Sequence, residues 1–209
     1  MFDLDNTLYP ARCALFTQVD HRIGQFVERH LGLDSEQSRT LRRRFHVEHG
    51  STLRGLMTEH TIEPEGFLNF VHDIDYGVLD RNARLDTLLA ALPGRKLIYT
   101  NGSTRHAVSV LSRLGITHHF PTIFDIAAAD YWPKPFAEPY QRLIATAIID
   151  PNKTVMVEDT VRNLGPAAAC GMTTVWVRPE PSNAAPDFVH HPVADLEDWL
   201  ARVLAERLR

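Results

Sequence analysis

Cysteine is scarce in these 209 residues: Cys13 and Cys170 lie far apart and match no CxxC metal or redox spacing. That excludes a disulfide-stapled domain and reads as two reduced thiols. No apolar run approaches the roughly 18–20 residues of a membrane-spanning helix. Positive charge is not in excess either. Against 26 Asp and Glu stand 22 Lys and Arg, a formal net charge of −4. A general affinity for nucleic acid polymers or for an anionic membrane is therefore not expected. The chain opens on an acidic motif rather than a basic, apolar leader, so a cytoplasmic location is expected. Internal repeats are lacking, and the only loose stretch is Pro179–Pro186, which reads as a surface loop. What is present is 44% hydrophobic and 23% charged residues, enough for one α/β domain with an inserted subdomain.

Three short apolar runs end abruptly in polar residues: Lys96–Tyr99 before Thr100-Asn101-Gly102, Thr154–Val157 before Glu158-Asp159, and Thr174–Val177 before Arg178. Their length and β-branched content predict buried strands. Helical patterns separate them. Ala107, Val110, Leu111 and Leu114 share a face that Gly115 terminates, and further helices are predicted over Phe136–Ile148 and Asn163–Cys170. Asp195–Arg209 reads as a terminal helix with Leu196, Leu200, Val203, Leu204 and Leu208 inward. The alternation implies a parallel sheet with helices on both faces, and in such sheets ligands bind beyond the carboxyl ends of the strands. Residues 12–82 differ. Leu15, Val19, Ile23, Phe26, Val27 and Leu31 form one apolar helical stripe stopped at Gly32, Ser35 is expected to cap a second helix, and shorter helices follow near Thr52–His60 and Pro64–His72. The expected organisation is a core of residues 1–11 and 83–209 interrupted by an all-helical insert, 12–82.

Chemistry concentrates where strands end. In Phe2-Asp3-Leu4-Asp5-Asn6-Thr7, two carboxylates at i and i+2 can hold a hard cation such as Mg²⁺, one serving as nucleophile and the other moving protons. Thr100-Asn101-Gly102-Ser103 lies between a strand and a helix, where a hydroxyl and backbone N–H groups can hold phosphate oxygens; a simple capping turn is the alternative. Lys134 sits between Pro133 and Pro135, which stiffen its loop. Glu158-Asp159 closes a strand and offers a further Mg²⁺ ligand.

In order and spacing these pieces resemble the haloacid dehalogenase superfamily. The resemblance implies a Rossmann-like core with an inserted helical cap, Asp3 as nucleophile, Asp5 as acid/base, Thr100 and Lys134 as phosphate-binding residues, and Mg²⁺ held by Asp3, the Asp5 backbone carbonyl and Asp159. Glu158 stands where glycine is usual, and Asn163 where a second acid often stands. The stretches Phe2–Pro10, Ser51–Met57, His72–Tyr76, Tyr99–Ser103 and Gly171–Val177 are similar to the pyrimidine 5′-nucleotidase branch. That branch implies a nucleoside monophosphate as the small phosphorylated substrate. A broad-specificity phosphatase of small metabolites, a metal-free dehalogenase using Asp3 against carbon, and a non-catalytic relative are the alternatives; Asp5 counts against the dehalogenase.

Other features read as structural. Arg39, Arg42, Arg43 and Arg44 are expected to form a solvated helix face, and His118-His119 and His190-His191 to be surface pairs pointing apart. Arg54 is a candidate substrate contact, with an ion pair inside the cap as the alternative. Only Met1 and Phe2 precede Asp3, too few for a central strand of about 5–6 residues. A gap in the sheet, filled in a longer chain by an apolar upstream stretch, is expected there.

Overall fold

The computed structural model describes residues 1–178 and 185–207. Most of the Pro179–Pro186 loop, and Leu208, lie outside the described residues. The core strands are β1 (Leu97–Tyr99), β2 (Thr122–Phe124), β3 (Val155–Glu158), β4 (Thr173–Val177) and β5 (His191–Val193). All pairings are parallel, β2 with β1 on one side and β3–β4–β5 on the other. Residues 1–3 join the two halves. Phe2 bridges Ile98 and Val157 in parallel, and its N–H donates to Leu97 at 2.9 Å. The N–H groups of Tyr99, Asp3 and Val157 donate to Phe2, Val157 and Met1 at 2.8, 2.9 and 3.0 Å. The expected gap is thus corrected: β1 and β3 are themselves so short that three residues satisfy both edges.

Strand side chains alternate between two helical layers, as a pleated sheet covered on both faces requires. Ile98, Val157 and Val175 pack with α5 (Ala83–Ala91), α6 (Thr104–Leu114) and α9 (Leu196–Arg207). Leu97, Tyr99 and Met156 face the opposite way, toward α7 (Ala137–Ala147) and α8 (Val161–Ala169).

Between the first motif and this core lie α1 (Leu15–Leu31), α2 (Ser35–Glu48), α3 (Thr52–His60) and α4 (Pro64–Val71). Their apolar faces close on a separate cluster that includes Val19, Phe26, Val27, Phe45, Leu56 and Phe67. Asp34, not Ser35, caps α2. Its carboxylate accepts the N–H groups of Glu36 and Gln37 at 2.9 Å each, and Gln37 reaches back to the Asp34 N–H. A carboxylate serves better than a hydroxyl there because it also meets the positive helix end. No helix among the described residues is long and apolar enough to cross a membrane.

Gly55 in α3 lets Phe45 of α2 lie against its backbone: a Cβ there would sit 2.2 Å from Phe45 Cγ. Helix propensity alone favours alanine by about 1 kcal/mol, whereas overpacking costs about 1–3 kcal/mol. Gly55→Ala is expected to destabilise the chain, lowering Tm by several degrees in calorimetry. A raised Tm would mean that α2 and α3 separate at little cost.

Candidate active site

The carboxyl ends of the sheet open into a cavity of about 840 Å³ between the core and the helical insert. Asp3, Asp5, Thr100, Asn101, Lys134, Glu158 and Asp159 all line it, so the strand ends and the Lys134 loop converge on one place. At its floor Lys134 is buried, and its three ammonium donors are matched by three acceptors: Asp3 Oδ1 at 2.6 Å, Glu158 Oε2 at 2.7 Å and the Tyr99 carbonyl at 3.0 Å. Burial works against that charge, but the two carboxylates hold the ammonium's pKa well above its usual range. Asn101 clamps the same loop. Its side chain accepts the Lys134 N–H at 2.8 Å and donates to the Lys134 carbonyl at 3.3 Å. The Asn101 side chain is thereby committed to positioning the lysine, which leaves the backbone N–H groups of this turn as its means of meeting a ligand.

Asp3 Oδ2 accepts the Thr7 hydroxyl at 2.9 Å, which explains the threonine at i+4. Burial and the Glu158 carboxylate push the Asp3 carboxyl up to about 7 despite Lys134. Glu158 is likewise raised to about 7, chiefly by burial, and Asp159 to about 6. Asp3, Glu158 and Asp159 each offer an oxygen within 4.8 Å of the others. Three crowded carboxylates against one ammonium leave the floor short of positive charge, and a hard divalent cation fits that deficit. Asn163 Oδ1 is buried with no partner in the same cavity, a further acceptor suited to a metal or its water. The Trp176 indole N–H holds the Asp159 carbonyl at 2.8 Å. Thr100, also buried, accepts the Gly102 N–H at 2.9 Å.

Asp5 has different company. Its Oδ1 accepts the Tyr9 hydroxyl at 2.5 Å and His106 Nε2 at 2.8 Å. Although burial alone would raise its pKa, His106, then Tyr9 and His72, bring it below the usual range. His106 is fully buried, faces the Tyr76 hydroxyl at 3.0 Å and stacks on His72 with ring centroids 4.3 Å apart. Burial, reinforced by His106, lowers the His72 pKa to about 3. Sequence reasoning did not single out His106, His72 or Tyr9. The HDIDY stretch and the helix opening after Ser103 were the available signals.

Two readings are corrected. Arg39, Arg43 and Arg44 are exposed, as a solvated face requires, but Arg39, Arg42 and Arg43 also line the cavity because α2 turns that side toward the strand ends. His118 and His119 converge on Asp86 Oδ1, at 3.1 and 2.8 Å, because a tight turn puts consecutive rings on one side. Arg81 shares Asp86, so that carboxylate's charge is already matched. Arg54 is not among the cavity residues; its guanidinium lies 3.9 Å above the Trp132 ring and ties α3 to the Lys134 loop.

The family model for haloacid dehalogenase-like hydrolases matches residues 1–171. A curated relative, Phosphate metabolism protein 8 of Saccharomyces cerevisiae, is 26% identical over 151 residues, covering 66% of this chain and 45% of the yeast protein. The chain thus spans less than half of that relative. Among solved structures, a HAD phosphatase from Thermococcus onnurineus aligns with a TM-score of 0.62 at 15% identity, covering 97% of this chain and 95% of the other. A 2-haloacid dehalogenase from Pseudomonas syringae pv. Tomato aligns with a TM-score of 0.60 at 18% identity, covering 100% and 97%. At such identities the likeness establishes the fold.

The raised carboxyls have a consequence for stability. Unfolded, Asp3 and Glu158 titrate near 3.8 and 4.5; folded, near 7. Between those limits the folded chain keeps protons that the unfolded chain has released, so these groups lower stability as pH rises through the window. The metal-free chain is expected to lose several degrees of Tm between about pH 5 and about pH 7.5. Millimolar Mg²⁺ should restore them at the higher pH and do little at the lower. A Tm indifferent to Mg²⁺ at the higher pH would remove the cation from this floor.

Proposed function

We propose that this chain, which belongs to the haloacid dehalogenase-like hydrolase family, is a Mg²⁺-dependent phosphomonoester phosphatase working through an aspartyl-phosphate. The observation that carries this reading is the floor itself: Asp3 held by Lys134 and Thr7 within 4.8 Å of Glu158 and Asp159. A dehalogenase has no leaving-group oxygen to protonate and so no use for the Asp5 carboxylate, which lines the same cavity. Asp3, Asp159 and the Asp5 backbone carbonyl would hold Mg²⁺, with Glu158 and Asn163 beside them. The ion neutralises charge that otherwise keeps a carboxylate away from an anionic ester.

Asp3 attacks phosphorus as the ester P–O bond breaks, while Lys134 and Thr100 steady the phosphoryl oxygens. Asp5 gives the leaving oxygen its proton, then takes one from the water that cleaves the aspartyl-phosphate, freeing phosphate and Asp3. In the ligand-free chain Asp5 is held ionised by His106 and Tyr9, which suits the second step. A phosphate dianion arriving beside it opposes that charge and favours protonation for the first.

The finer reading is a 5′-nucleotidase acting on pyrimidine nucleoside monophosphates. The five stretches similar to that branch support it. So does an apolar side of the cavity, made by Phe16, Ile23, Phe67 and Val71, against which a base can lie. Cys13 and Cys170 are both free, in keeping with a reducing cytoplasm.

Asp3→Asn is expected to cut hydrolysis of an aryl phosphate by on the order of 10⁴-fold or more, with folding retained by circular dichroism. Chelation with EDTA should silence the wild type and Mg²⁺ restore it. Turnover of an aryl phosphate by Asp3→Asn near the wild-type rate would sink the mechanism. Metal-independent release of chloride from 2-chloropropionate would favour the dehalogenase.

A further inference from the structure

The cavity is electrically two-sided. Its floor is acidic, but the wall made by α2 and the start of α8 carries Arg39, Arg42, Arg43, His46 and Arg162. Positions 39, 42, 43 and 46 recur at helical spacing, so one face of α2 delivers all four. Glu36 pairs with Arg39, and Asp20 with Arg42. Two carboxylates therefore answer four guanidiniums. Among the described residues neither Arg43 nor Arg162 forms an ion pair, and Arg42 Nε is enclosed without an acceptor. Arg162 hydrogen-bonds to the imidazole of His46, whose pKa is lowered by burial and by that guanidinium, and it feels the Glu158 carboxylate without pairing to it. A neutral ring can accept from Arg162 and orient it without cancelling its charge.

Arg39, Arg43 and Arg162 are exposed, so the wall is the rim of the cavity. Guanidiniums from two separate elements, α2 of the insert and α8 of the core, border that one cavity in a chain of net charge −4. Guanidinium forks match phosphate oxygens bidentately.

We propose that this wall is a second anion subsite, and that the preferred substrate carries two phosphates. One is hydrolysed at Asp3; the other, on the leaving group, rests on Arg43 and Arg162, with Arg39 and Arg42 behind them. The inference rests on the phosphatase reading, and its bisphosphate takes the place of the nucleoside monophosphate as the preferred substrate. A nucleoside 5′-monophosphate meets only the floor, since its leaving group is uncharged. A nucleoside 3′,5′-bisphosphate or a sugar bisphosphate meets floor and wall together.

The test compares matched pairs in the presence of Mg²⁺: uridine 3′,5′-bisphosphate against uridine 5′-monophosphate, and fructose 1,6-bisphosphate against fructose 1-phosphate. In at least one pair the wild type is expected to favour the bisphosphate by about tenfold or more in kcat/KM, with the preference shrinking as salt is raised. Arg43→Ala and Arg162→Ala should each reduce that ratio about tenfold. Arg43→Lys, which keeps charge but not the fork, should retain part of it. A wild-type ratio near one in both pairs, or a ratio that neither arginine variant moves, overturns the subsite. Aryl phosphate turnover separates the two ideas. If the wild type hydrolyses it but shows no bisphosphate preference, only the subsite falls; if it hydrolyses no phosphomonoester, the phosphatase reading falls as well.

Discussion

Lys134 is buried with Asp3 on one side and Glu158 on the other, and much of the core is arranged to make that tolerable. An ammonium removed from water costs several kcal/mol unless every donor finds a partner. Here the partners come from three strand ends: the first motif, the carbonyl of Tyr99 in β1, and Glu158 in β3. The triad is satisfied only if these ends lie side by side, as the parallel ladder through residues 1–3 makes them. Asn101, following β1, then fixes the lysine's own backbone from both sides. Removing one member of such a triad leaves an uncompensated buried charge, a loss of about 3–5 kcal/mol. The site and the sheet are thus one structural problem, and neither is complete without the other.

The same triad explains why Glu158 stands where the family usually has glycine. A second carboxylate beside Asp159 adds negative charge to a floor that already repels itself, and Lys134 offsets only part of it. After burial, that charge is what raises Asp3, and it makes the floor more demanding of a cation than two acids would. Opposite stands a wall of arginines, so the field across the cavity runs from wall to floor. A cavity with this polarity orients an asymmetric anion before any contact is made.

Parts of this were legible in the chain and parts were not, for physical reasons. Strands at Leu97–Tyr99, Val155–Glu158 and Thr173–Val177 announce themselves because burial on both faces demands continuous apolar runs. Thr122–Phe124 and His191–Val193 are edge strands of three residues each, too short to carry any period. Asp3, Lys134 and Asp159 were visible because motif spacing survives without knowledge of contacts. His106 was not: on an amphipathic helix it looks like one more inward residue, and only the fold brings it to Asp5, 101 positions away. Arg39, Arg43 and Arg44 of α2 are exposed, as expected, but the place of the α2 arginines at the cavity was hidden for a similar reason, since a sequence shows that a helix face is charged but not what it faces. Arg54 stood in a recognisable stretch, yet Trp132 had the prior claim on it.

Asp3 and Asp5 make the point most sharply. They are the same residue type two positions apart, and both are largely withdrawn from solvent. On desolvation alone both carboxyls would rise. Asp3 does, because its neighbours include Glu158 as well as Lys134. Asp5 falls, because two imidazoles and the Tyr9 hydroxyl surround it. Carboxyls driven apart in this way are the arrangement from which a division of labour follows, one to attack and one to move protons. In the proposed mechanism Asp3 would become a competent nucleophile only when positive charge reaches the floor, whereas Asp5, its pKa already lowered, would need the approach of substrate to take up a proton. Each residue would then wait for a different event, and chemistry would begin only with cation and anionic ester both present.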